Sequence, residues 1–412
     1  MKLDIRKTVF VGMAFMTISA FWQLYDFAVP LMLYKEFKIP DTYSGVIMSL
    51  DNVLALFLLP FFGSLSDKTQ TKFGKRMPYI TVGTIAVAMG MLLLPYSVVK
   101  DNVILLVVSL AVVLIFMSVY RSPAVALMPD VTMKPLRSKG NAVINLMGAI
   151  GGMITLAGLT LFDPIKVGYF PIFLMISGLM LAGLVIMLAT VKENKWGEEM
   201  RHATEEFHVV EIEEDPVTHE LPKEVKRSLV FILLSIAFWY MGYNAVTTAF
   251  SRYATIQIGL TGAQASLILL VANVGAIISF IPIGIFSSKV GRKKTILLGV
   301  IMLAIVFLTA TFYTQFTPLI YLNFIFAGIA WAAINVNSLP MVLEMADSGN
   351  VGKYTGLYYT FSMSAQIVTP ILSGLLFDLI SYKVLFPYAT FFVGLALITM
   401  MNVKHGDAVL EE

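Results

Sequence analysis

The sequence predicts an all-α membrane protein in which twelve transmembrane helices form two six-helix pseudo-repeats. Three observations lead to this fold class. The 412 residues are 58% hydrophobic and only 13% charged, with a mean hydropathy of +0.82, so most apolar side chains must face lipid instead of one soluble core. Apolar runs long enough to cross a bilayer occur twelve times, and one loop pattern follows the second run of each half.

The apolar runs are about 20 residues long, the length that crosses a bilayer as a helix. Six precede and six follow the polar stretch Lys192–Arg227. We therefore predict an N-terminal half at 1–191, a solvated cytoplasmic linker at 192–227 with room for one amphipathic helix, and a C-terminal half with a short cytoplasmic tail at 228–412. The runs cover residues 8–34, 42–66, 78–98, 103–128, 140–162, 169–191, 228–251, 262–288, 294–313, 317–343, 353–377 and 384–403.

Most of the 29 Lys and Arg residues lie at the two termini and in the loops that follow even-numbered runs. Because basic loops face the cytoplasm, we expect a multi-pass protein of the cell membrane with both termini cytoplasmic. The first run is long enough to stay as a span, and no cleavage pattern of small residues follows it, which argues against a signal peptide. A monomer suffices for this fold.

The composition also excludes several classes of protein. The absence of cysteine excludes disulfides, thiolate metal sites and cysteine nucleophiles. A net charge of +3, gathered in short loops, argues against a nucleic-acid partner. The sequence contains no phosphate-binding glycine loop, no cluster of metal ligands and no nucleophile near a histidine. We therefore expect neither an enzyme nor a protein that holds a metal or cofactor.

The loop after the second span of each half has the same pattern. Gly63–Pro78 reads GSLSDKTQTKFGKRMP and Gly284–Lys294 reads GIFSSKVGRKK. Such a duplication indicates an internal repeat, and a parallel repeat places a substrate site near the midplane between two halves that rock against each other. The positions that carry the pattern are Gly63, Asp67, Gly74, Lys75 and Arg76 in the first copy, and Gly284, Gly291 and Arg292 in the second.

These features resemble the major facilitator superfamily over the whole chain. The resemblance implies that the loops form a cytoplasmic latch, in which Asp67 and the basic residues pair across neighbouring helix ends. The longer first copy, DKTQTKFGKRMPYI, is similar to the loop of the glycoside-pentoside-hexuronide cation symporters and of related proton-coupled sucrose and glucose transporters. Further agreement with that family comes from YDFAVPLMLYKEF, SPAVALMPDVTMKPLRSKGNA and GKYTGLYYTFSMSAQIVTPILSGLLFD.

Three charged residues lie deep inside predicted spans, namely Asp26, Asp51 and Arg121. A charge deep in a span costs at least about 2.5 kcal/mol on insertion scales, so each is a candidate functional group. Two carboxylates and one guanidinium suit proton coupling, because movement of Arg121 relative to either acid would change its affinity for a proton. A fixed ion pair that holds helices together is the alternative. Asp51 is the first candidate for the coupling proton, and Asp26 is the second.

The resemblance implies further roles for these charges. Asp26 falls where the similar symporters have a sugar-binding aspartate, and Arg121 falls where melibiose-type symporters have a second one. The charge at Arg121 is therefore reversed, which favours an acidic sugar because arginine pairs with carboxylates through two hydrogen bonds. Sodium-coupled members carry two carboxylates at the positions of Ala55 and Leu59. Their replacement favours protons over sodium.

Sugar sites combine aromatic faces with amides and carboxylates. Helical spacing groups such side chains on several spans, although aromatic anchors at the bilayer interface and lone amides between helices are the structural alternative. The candidates for substrate binding are Trp22, Tyr25, Asp26, Tyr120, Arg121, Asn145, Tyr243, Asn244, Asn273, Trp331, Asn335, Tyr359 and Gln366.

Together these features predict a secondary active transporter that carries a sugar or glycoside, neutral or acidic, with protons by alternating access. A proton-driven exporter of drugs or other small organic compounds on the same fold is the alternative, because 12% aromatic residues and 24 methionines suit a broad apolar cavity. A membrane sensor or chaperone without transport would need a partner-binding motif in the polar stretch, and the sequence contains none that we recognise.

Overall fold

The computed structural model describes residues 3–133, 136–206, 222–345 and 351–407. Within these ranges the secondary structure is all helical, and twelve helices are long and apolar enough to cross a membrane. The predicted fold class is therefore confirmed, and each predicted apolar run corresponds to one of these helices. Residues 207–221 of the predicted linker, which include His208 and His219, and residues 408–412 of the predicted tail lie outside the described ranges.

The helices are numbered in chain order. The first eight are α1 (Ile5–Leu31), α2 (Asp41–Asp67), α3 (Met77–Gly90), α4 (Leu93–Val99), α5 (Val103–Asp130), α6 (Arg137–Leu161), α7 (Pro164–Val167) and α8 (Phe170–Thr190). The others are α9 (Glu193–Glu206), α10 (Lys223–Arg252), α11 (Gly262–Val290), α12 (Arg292–Ala310), α13 (Leu319–Leu343), α14 (Val351–Leu379) and α15 (Leu385–Met401).

Contacts between residues group the chain into two units. The first unit consists of Met1–Lys38 and Leu50–Glu211, and the second consists of Ile39–Ser49 and Ile212–Glu412. The helix α2 is continuous, but its residues up to Ser49 belong to the second unit and those from Leu50 onward belong to the first. The helix α9, at the start of the predicted linker, belongs to the first unit. The domain boundaries at 191 and 227 stay predictions.

Both units end their first span with a π-helical turn. Met32–Glu36 follows α1, and Tyr253–Gln257 follows α10. Such wide turns are rare and occur as local interruptions of α-helices. Their presence at the end of the first span in both halves supports the internal duplication that the loop pattern indicates.

The predicted third span is divided into α3 and α4 by a turn at Met91 and Leu92. Pro95 explains the break, because proline has no N–H to donate to the carbonyl four residues earlier and its ring clashes with that carbonyl. In this chain that carbonyl belongs to Met91, which instead accepts a 3.2 Å hydrogen bond from the amide of Leu94.

Glycines allow helices to pack at backbone distance in both units. A Cβ atom on Gly151 of α6 would lie 1.9 Å from the carbonyl oxygen of Met16 on α1. In the second unit, a Cβ atom on Gly328 of α13 would lie 1.9 Å from the carbonyl oxygen of Ala272 on α11. Small residues at such contacts are the usual basis of helix packing in membranes, so each of these positions requires glycine.

Candidate functional site

Asp26, Asp51 and Arg121, the three charges predicted to lie deep inside spans, belong to the first unit and lie on α1, α2 and α5. Asp51 is close enough to interact electrostatically with both Asp26 and Arg121, repelling the first and attracting the second. Asn52 Nδ2 donates a hydrogen bond of 2.7 Å to Asp51 Oδ1. All three charged side chains are half-buried. Asp51 therefore links the other two charges.

Two aromatic rings of α1 lie beside these charges. The guanidinium carbon of Arg121 is 5.6 Å from the centre of the Trp22 ring, a cation–π distance. Tyr25 packs edge-on against Trp22 with 5.3 Å between ring centres, and its phenol interacts electrostatically with both Asp26 and Asp51. Trp22 Nε1 is buried without a hydrogen-bond partner among the described residues. A buried hydrogen-bond donor beside Arg121 is therefore unsatisfied among the described residues.

Tyr120, the neighbour of Arg121, is engaged in helix packing. Its hydroxyl group donates a hydrogen bond of 2.9 Å to the carbonyl oxygen of Ala14 and also pairs with Thr17 Oγ1. The side chain is 1% exposed, and a Cβ atom on Gly83 of α3 would lie 2.7 Å from its Cβ. Tyr120 thus joins α5 to α1 and α3, and its role in substrate binding stays a prediction.

The first copy of the duplicated loop forms a cluster of ion pairs at neighbouring helix ends. Arg76 donates from Nε to Asp130 Oδ2 at 2.8 Å and from Nη2 to Asp67 Oδ1, and Lys75 Nζ lies 3.2 Å from Asp130. Burial opposes the charge of Arg76, but the hydrogen bonds and charges of Asp130 and Asp67 raise its pKa above the ordinary value. Asp130 is the last residue of α5, so this pairing joins the loop to the end of the fourth span.

The carboxylate of Glu193, the first residue of α9, caps the same loop. It accepts hydrogen bonds of 2.9 Å from the backbone N–H groups of Lys75, Arg76 and Met77. Glu193 is 5% exposed. Gly74 makes room for it, because its φ is +116° and an added Cβ would lie 2.0 Å from Glu193 Oε2. The start of the predicted linker is therefore fastened to the loop.

The second copy of the loop repeats this arrangement in the second unit. Arg292 Nη1 donates to Glu344 Oε2 at 2.6 Å, and the backbone N–H of Arg292 donates to Asp407 Oδ1 at 2.6 Å. Gly291 has a φ of +102°, and an added Cβ would lie 2.9 Å from Asp407 Oδ2. Ser288, at the position of Asp67, donates to the carbonyl oxygen of Ile285 in its own helix at 2.8 Å. This cluster therefore has no equivalent of the Asp67–Arg76 pair among its described residues.

In the second unit, aromatic rings from α10 and α13 pack together. The rings of Tyr243 and Trp331 are stacked, with 3.7 Å between their centres and 3° between their planes. Tyr240 meets Trp331 edge-on at 5.2 Å. The Nδ2 atom of Asn244 is buried and has no hydrogen-bond partner among the described residues. Tyr243, Asn244 and Trp331 are among the candidates predicted from the sequence, and the structure brings their helices together.

A chain of hydroxyl groups continues from this cluster to α14. Tyr358 OH lies 3.5 Å from Tyr240 OH and 3.1 Å from Ser338 Oγ. Tyr358 is 4% exposed, and its ring meets the half-exposed ring of Tyr359 edge-on at 5.4 Å. Tyr358 therefore connects three helices, while its predicted neighbour Tyr359 lies at the edge of the cluster.

The remaining predicted substrate contacts are more peripheral. Asn273 Nδ2 donates to the carbonyl oxygen of Leu269 at 3.0 Å, and Gln366 Nε2 donates to that of Ser362 at 3.3 Å, each within its own helix. Asn145 on α6 and Asn335 on α13 have exposed side chains. These four assignments stay predictions.

Sequence reasoning missed Tyr358, Glu193 and Asp407. A signal for the two acids was present, because each follows the last span of its half within a few residues. Comparison of the two repeats beyond their apolar runs would have indicated a shared role. No comparable signal marks Tyr358, since its contacts with α10 and α13 depend on how three helices pack.

A cavity of about 150 Å³ lies elsewhere in the first unit, between the start of α1, the end of α5 and α9. Its wall includes Lys7, Trp196 and Glu199, and none of the predicted substrate residues. Lys7 Nζ donates to Glu199 Oε2 at 2.5 Å, and this hydrogen bond lowers the pKa of Glu199 below its ordinary value. The cavity is thus associated with the docking of α9 and not with the charges of the spans.

Among the described residues, twelve helices are long and apolar enough to cross a membrane. Charged side chains within such spans are typical of membrane transporters. The chain belongs to the Major Facilitator Superfamily, because the family model matches residues 11–272 and 232–408. The protein is therefore a multi-pass membrane protein of this superfamily.

Two curated relatives match part of the chain. It is 30% identical over 193 residues to Multidrug resistance protein 2 of Bacillus subtilis, covering 45% of this chain and 48% of that protein. It is 30% identical over 175 residues to an uncharacterized MFS-type transporter of Methanocaldococcus jannaschii, covering 41% of this chain and 42% of that protein. The chain thus spans about half the length of the curated relatives it matches.

Solved structures share the fold over nearly the whole chain. A crystal structure of the peptide transporter POT in complex with sulfate has a TM-score of 0.72 at 14% identity, with 96% of this chain and 92% of that chain covered. A point mutant of the nucleoside transporter NupG has a TM-score of 0.69 at 13% identity, with 97% and 100% covered. At such low identity these similarities show the fold alone.

Proposed function

We propose that the protein is a proton-coupled symporter of a sugar or glycoside, similar to the glycoside-pentoside-hexuronide cation symporters, in a cell membrane with both termini cytoplasmic. The observation that carries this proposal is the grouping of Asp26, Asp51 and Arg121 beside the rings of Trp22 and Tyr25. Aromatic faces pack against the C–H side of a pyranose, and carboxylates accept its hydroxyl groups. Asp51 interacts with both other charges, so it is the proposed site of the coupling proton.

Transport by the reconstituted protein tests the coupling. We expect uptake of a radiolabelled sugar to follow an inward proton gradient and to be unchanged when sodium replaces potassium. Asp51→Asn removes the proposed proton site and should abolish accumulation against a gradient. Asp101→Asn, which changes an exposed loop carboxylate, is the matched control and should transport normally. Uptake that follows sodium and ignores pH would contradict the proposal.

Arg121 supports an acidic sugar as the substrate. Its guanidinium lies in a half-buried position over Trp22, where it can pair with a substrate carboxylate. Arg121→Gln should then abolish uptake of glucuronate and leave most of the uptake of a neutral methyl glucoside. Equal loss of both activities would remove the argument for an acidic substrate while leaving sugar transport intact.

A second candidate function is proton-driven export of drugs or other small organic compounds. The similarity to Multidrug resistance protein 2 over 193 residues favours it, as does the uncharged aromatic cluster of Tyr240, Tyr243 and Trp331. Aromatic faces attract organic cations. Thermal-shift measurements with methyl glucoside, glucuronate and tetraphenylphosphonium separate the two functions. Stabilisation by the lipophilic cation, and by neither sugar, would replace symport with export.

A further inference from the structure

A space between α1, α5 and α9 is large enough to hold a small organic ligand. This cavity has a volume of about 150 Å³, and its wall combines the start of α1, the end of α5 with the residues after it, and one side of α9. An engineered apolar cavity of about 150 Å³ in another protein takes up benzene. Tightly packed interiors contain few voids larger than a water molecule, so helix packing by itself does not account for this space.

Much of the wall of this cavity is apolar. Aliphatic, thioether and aromatic side chains line it, among them those of Val11, Met128, Leu136, Trp196 and Met200. Val11, Met128 and Trp196 are buried, so the wall is formed by side chains that are already fixed by packing. Methionine is flexible and polarisable and adapts to rings of different shape. The cavity therefore suits a ligand with a small apolar body, such as one aromatic ring.

The charged groups in the same wall favour a cationic ligand. They are the carboxylates of Asp4 and Glu199 and the ammonium group of Lys7. The two carboxylates repel each other, and Glu199 Oε2 is the oxygen that is paired with Lys7 Nζ. Glu199 Oε1 has Lys195 Nζ at 3.8 Å, which is too far for a hydrogen bond. One oxygen of Glu199 is therefore without a hydrogen-bond donor among the described residues, and the wall carries an excess of negative charge.

The position of Lys7 shows how this wall holds an ammonium group. Lys7 Nζ lies 5.4 Å from the centre of the Trp196 ring and 2.5 Å from Glu199 Oε2. Aromatic faces attract ammonium groups at such distances and are a usual means of recognising organic cations. The side chain of Lys7 is 38% exposed, so it has room to move toward solvent when a ligand enters. Trp196 and Glu199 can therefore hold the ammonium group of a ligand in the same way.

We propose that this cavity binds a small aromatic ammonium compound, whose ring lies against the apolar wall and whose ammonium group pairs with Glu199 beside Trp196. Such a ligand touches α1, α9 and the end of α5 at once, because all three contribute to the wall. Its binding therefore holds α9 against the first unit. None of the predicted substrate residues lines the cavity, so the proposal does not depend on the transported substrate.

Titration of the purified protein with benzylammonium tests the site, because Trp196 lies in its wall. We expect a saturable change in tryptophan fluorescence that Trp196→Phe removes. Benzyl alcohol has a similar shape without the charge and should bind about threefold more weakly, and benzoate should bind more weakly still because the carboxylates repel it. A change that survives Trp196→Phe would place binding at Trp22, Trp239 or Trp331 and overturn the inference.

Two substitutions that break the same ion pair separate ligand binding from a general loosening of α9. Glu199→Gln removes the partner of the ligand and should raise the Kd of benzylammonium about threefold to fivefold. Lys7→Gln removes a competing positive charge and should lower that Kd by about the same factor. Glu198→Gln changes an exposed acid of α9 outside the cavity wall and should leave the Kd unchanged. Weaker binding in Lys7→Gln, or an equal effect of Glu198→Gln, would contradict the proposal.

A substitution that fills the cavity tests the site without changing a charge. Ala203 of α9 lines the cavity, and Ala203→Leu should weaken benzylammonium binding about tenfold or more, because the larger side chain occupies the space of the ring. In the unaltered protein, benzylammonium should slow hydrogen exchange in peptides that cover α9, and in Ala203→Leu it should not. Unchanged affinity in Ala203→Leu, or exchange in α9 that does not respond to benzylammonium, would show that the cavity is not the binding site.

Discussion

Glu193 should contribute more to stability than any other residue of α9, because its carboxylate receives three backbone N–H groups at the start of α3. Glu193→Gln keeps the shape but removes the charge and turns one acceptor into a donor that faces backbone donors. Hydrogen bonds to charged groups contribute about 1.5–3 kcal/mol each. Losing one such bond and leaving a buried N–H unsatisfied should together cost about 3 kcal/mol.

For a unit of about 200 residues, 3 kcal/mol corresponds to a decrease in Tm of about 6–12 °C. Fluorescence-detected thermal unfolding of the purified protein in detergent measures this apparent Tm. Glu198→Gln is the matched control, because Glu198 is an exposed acid on the same helix. If the two variants unfold within 1 °C of each other, the assignment of Glu193 as the cap of the loop is wrong.

Gly74 provides an independent check on the same geometry. Gly74→Ala should destabilise the protein, because a Cβ would lie 2.0 Å from Glu193 Oε2 and the residue has a φ of +116°. In a Glu193→Ala background the contacts with the carboxylate disappear, and a 2.7 Å contact with the Cβ of residue 193 remains, together with backbone strain of about 1–3 kcal/mol. The two substitutions should therefore be non-additive, as a double-mutant cycle measures. Additive effects would refute a direct contact between the two residues.

Three further predictions concern charges and packing. Arg76→Gln should lower the free energy of unfolding by about 3 kcal/mol, because Asp130 loses its buried partner, and a loss below 1 kcal/mol would contradict this. Glu199→Gln should cost less than about 1 kcal/mol, since the Lys7–Glu199 pair is exposed. Because the pKa of Glu199 is lowered, the ion pair stabilises the protein fully above the ordinary pKa of 4.5, and this stabilisation is lost as the pH falls through the lowered value. A difference in Tm between wild type and Glu199→Gln that grows on acidification would contradict this pH dependence. Gly328→Ala should prevent recovery of monodisperse protein, because its Cβ would lie 1.9 Å from a carbonyl oxygen. Gly394→Ala should be tolerated, because no atom lies within 4 Å of the added Cβ. Similar yields of the two variants would refute the packing argument.

The spans and the internal repeat could be predicted from the sequence because both signals are local. Hydropathy over about 20 residues locates each membrane helix, and the two copies of the loop contain their glycines and basic residues in contiguous stretches. The boundaries differ where a local interruption intervenes, as at Pro95, where a proline ends α3 within the predicted third span. Asp26, Asp51 and Arg121 could also be singled out, since a charge is conspicuous in an apolar run.

The partners of these residues depend on packing between segments far apart in the chain. Arg252 pairs with Asp41 across 211 positions, and Glu193 reaches the amide of Met77 across 116. Neither pairing follows from helical spacing, because a side chain can meet only the groups that neighbouring helices bring within about 3 Å of it. Hydropathy and repetition along the chain thus specify which helices form and which charges they carry. Only the packing of these helices in three dimensions determines that Asp51 interacts with both Asp26 and Arg121.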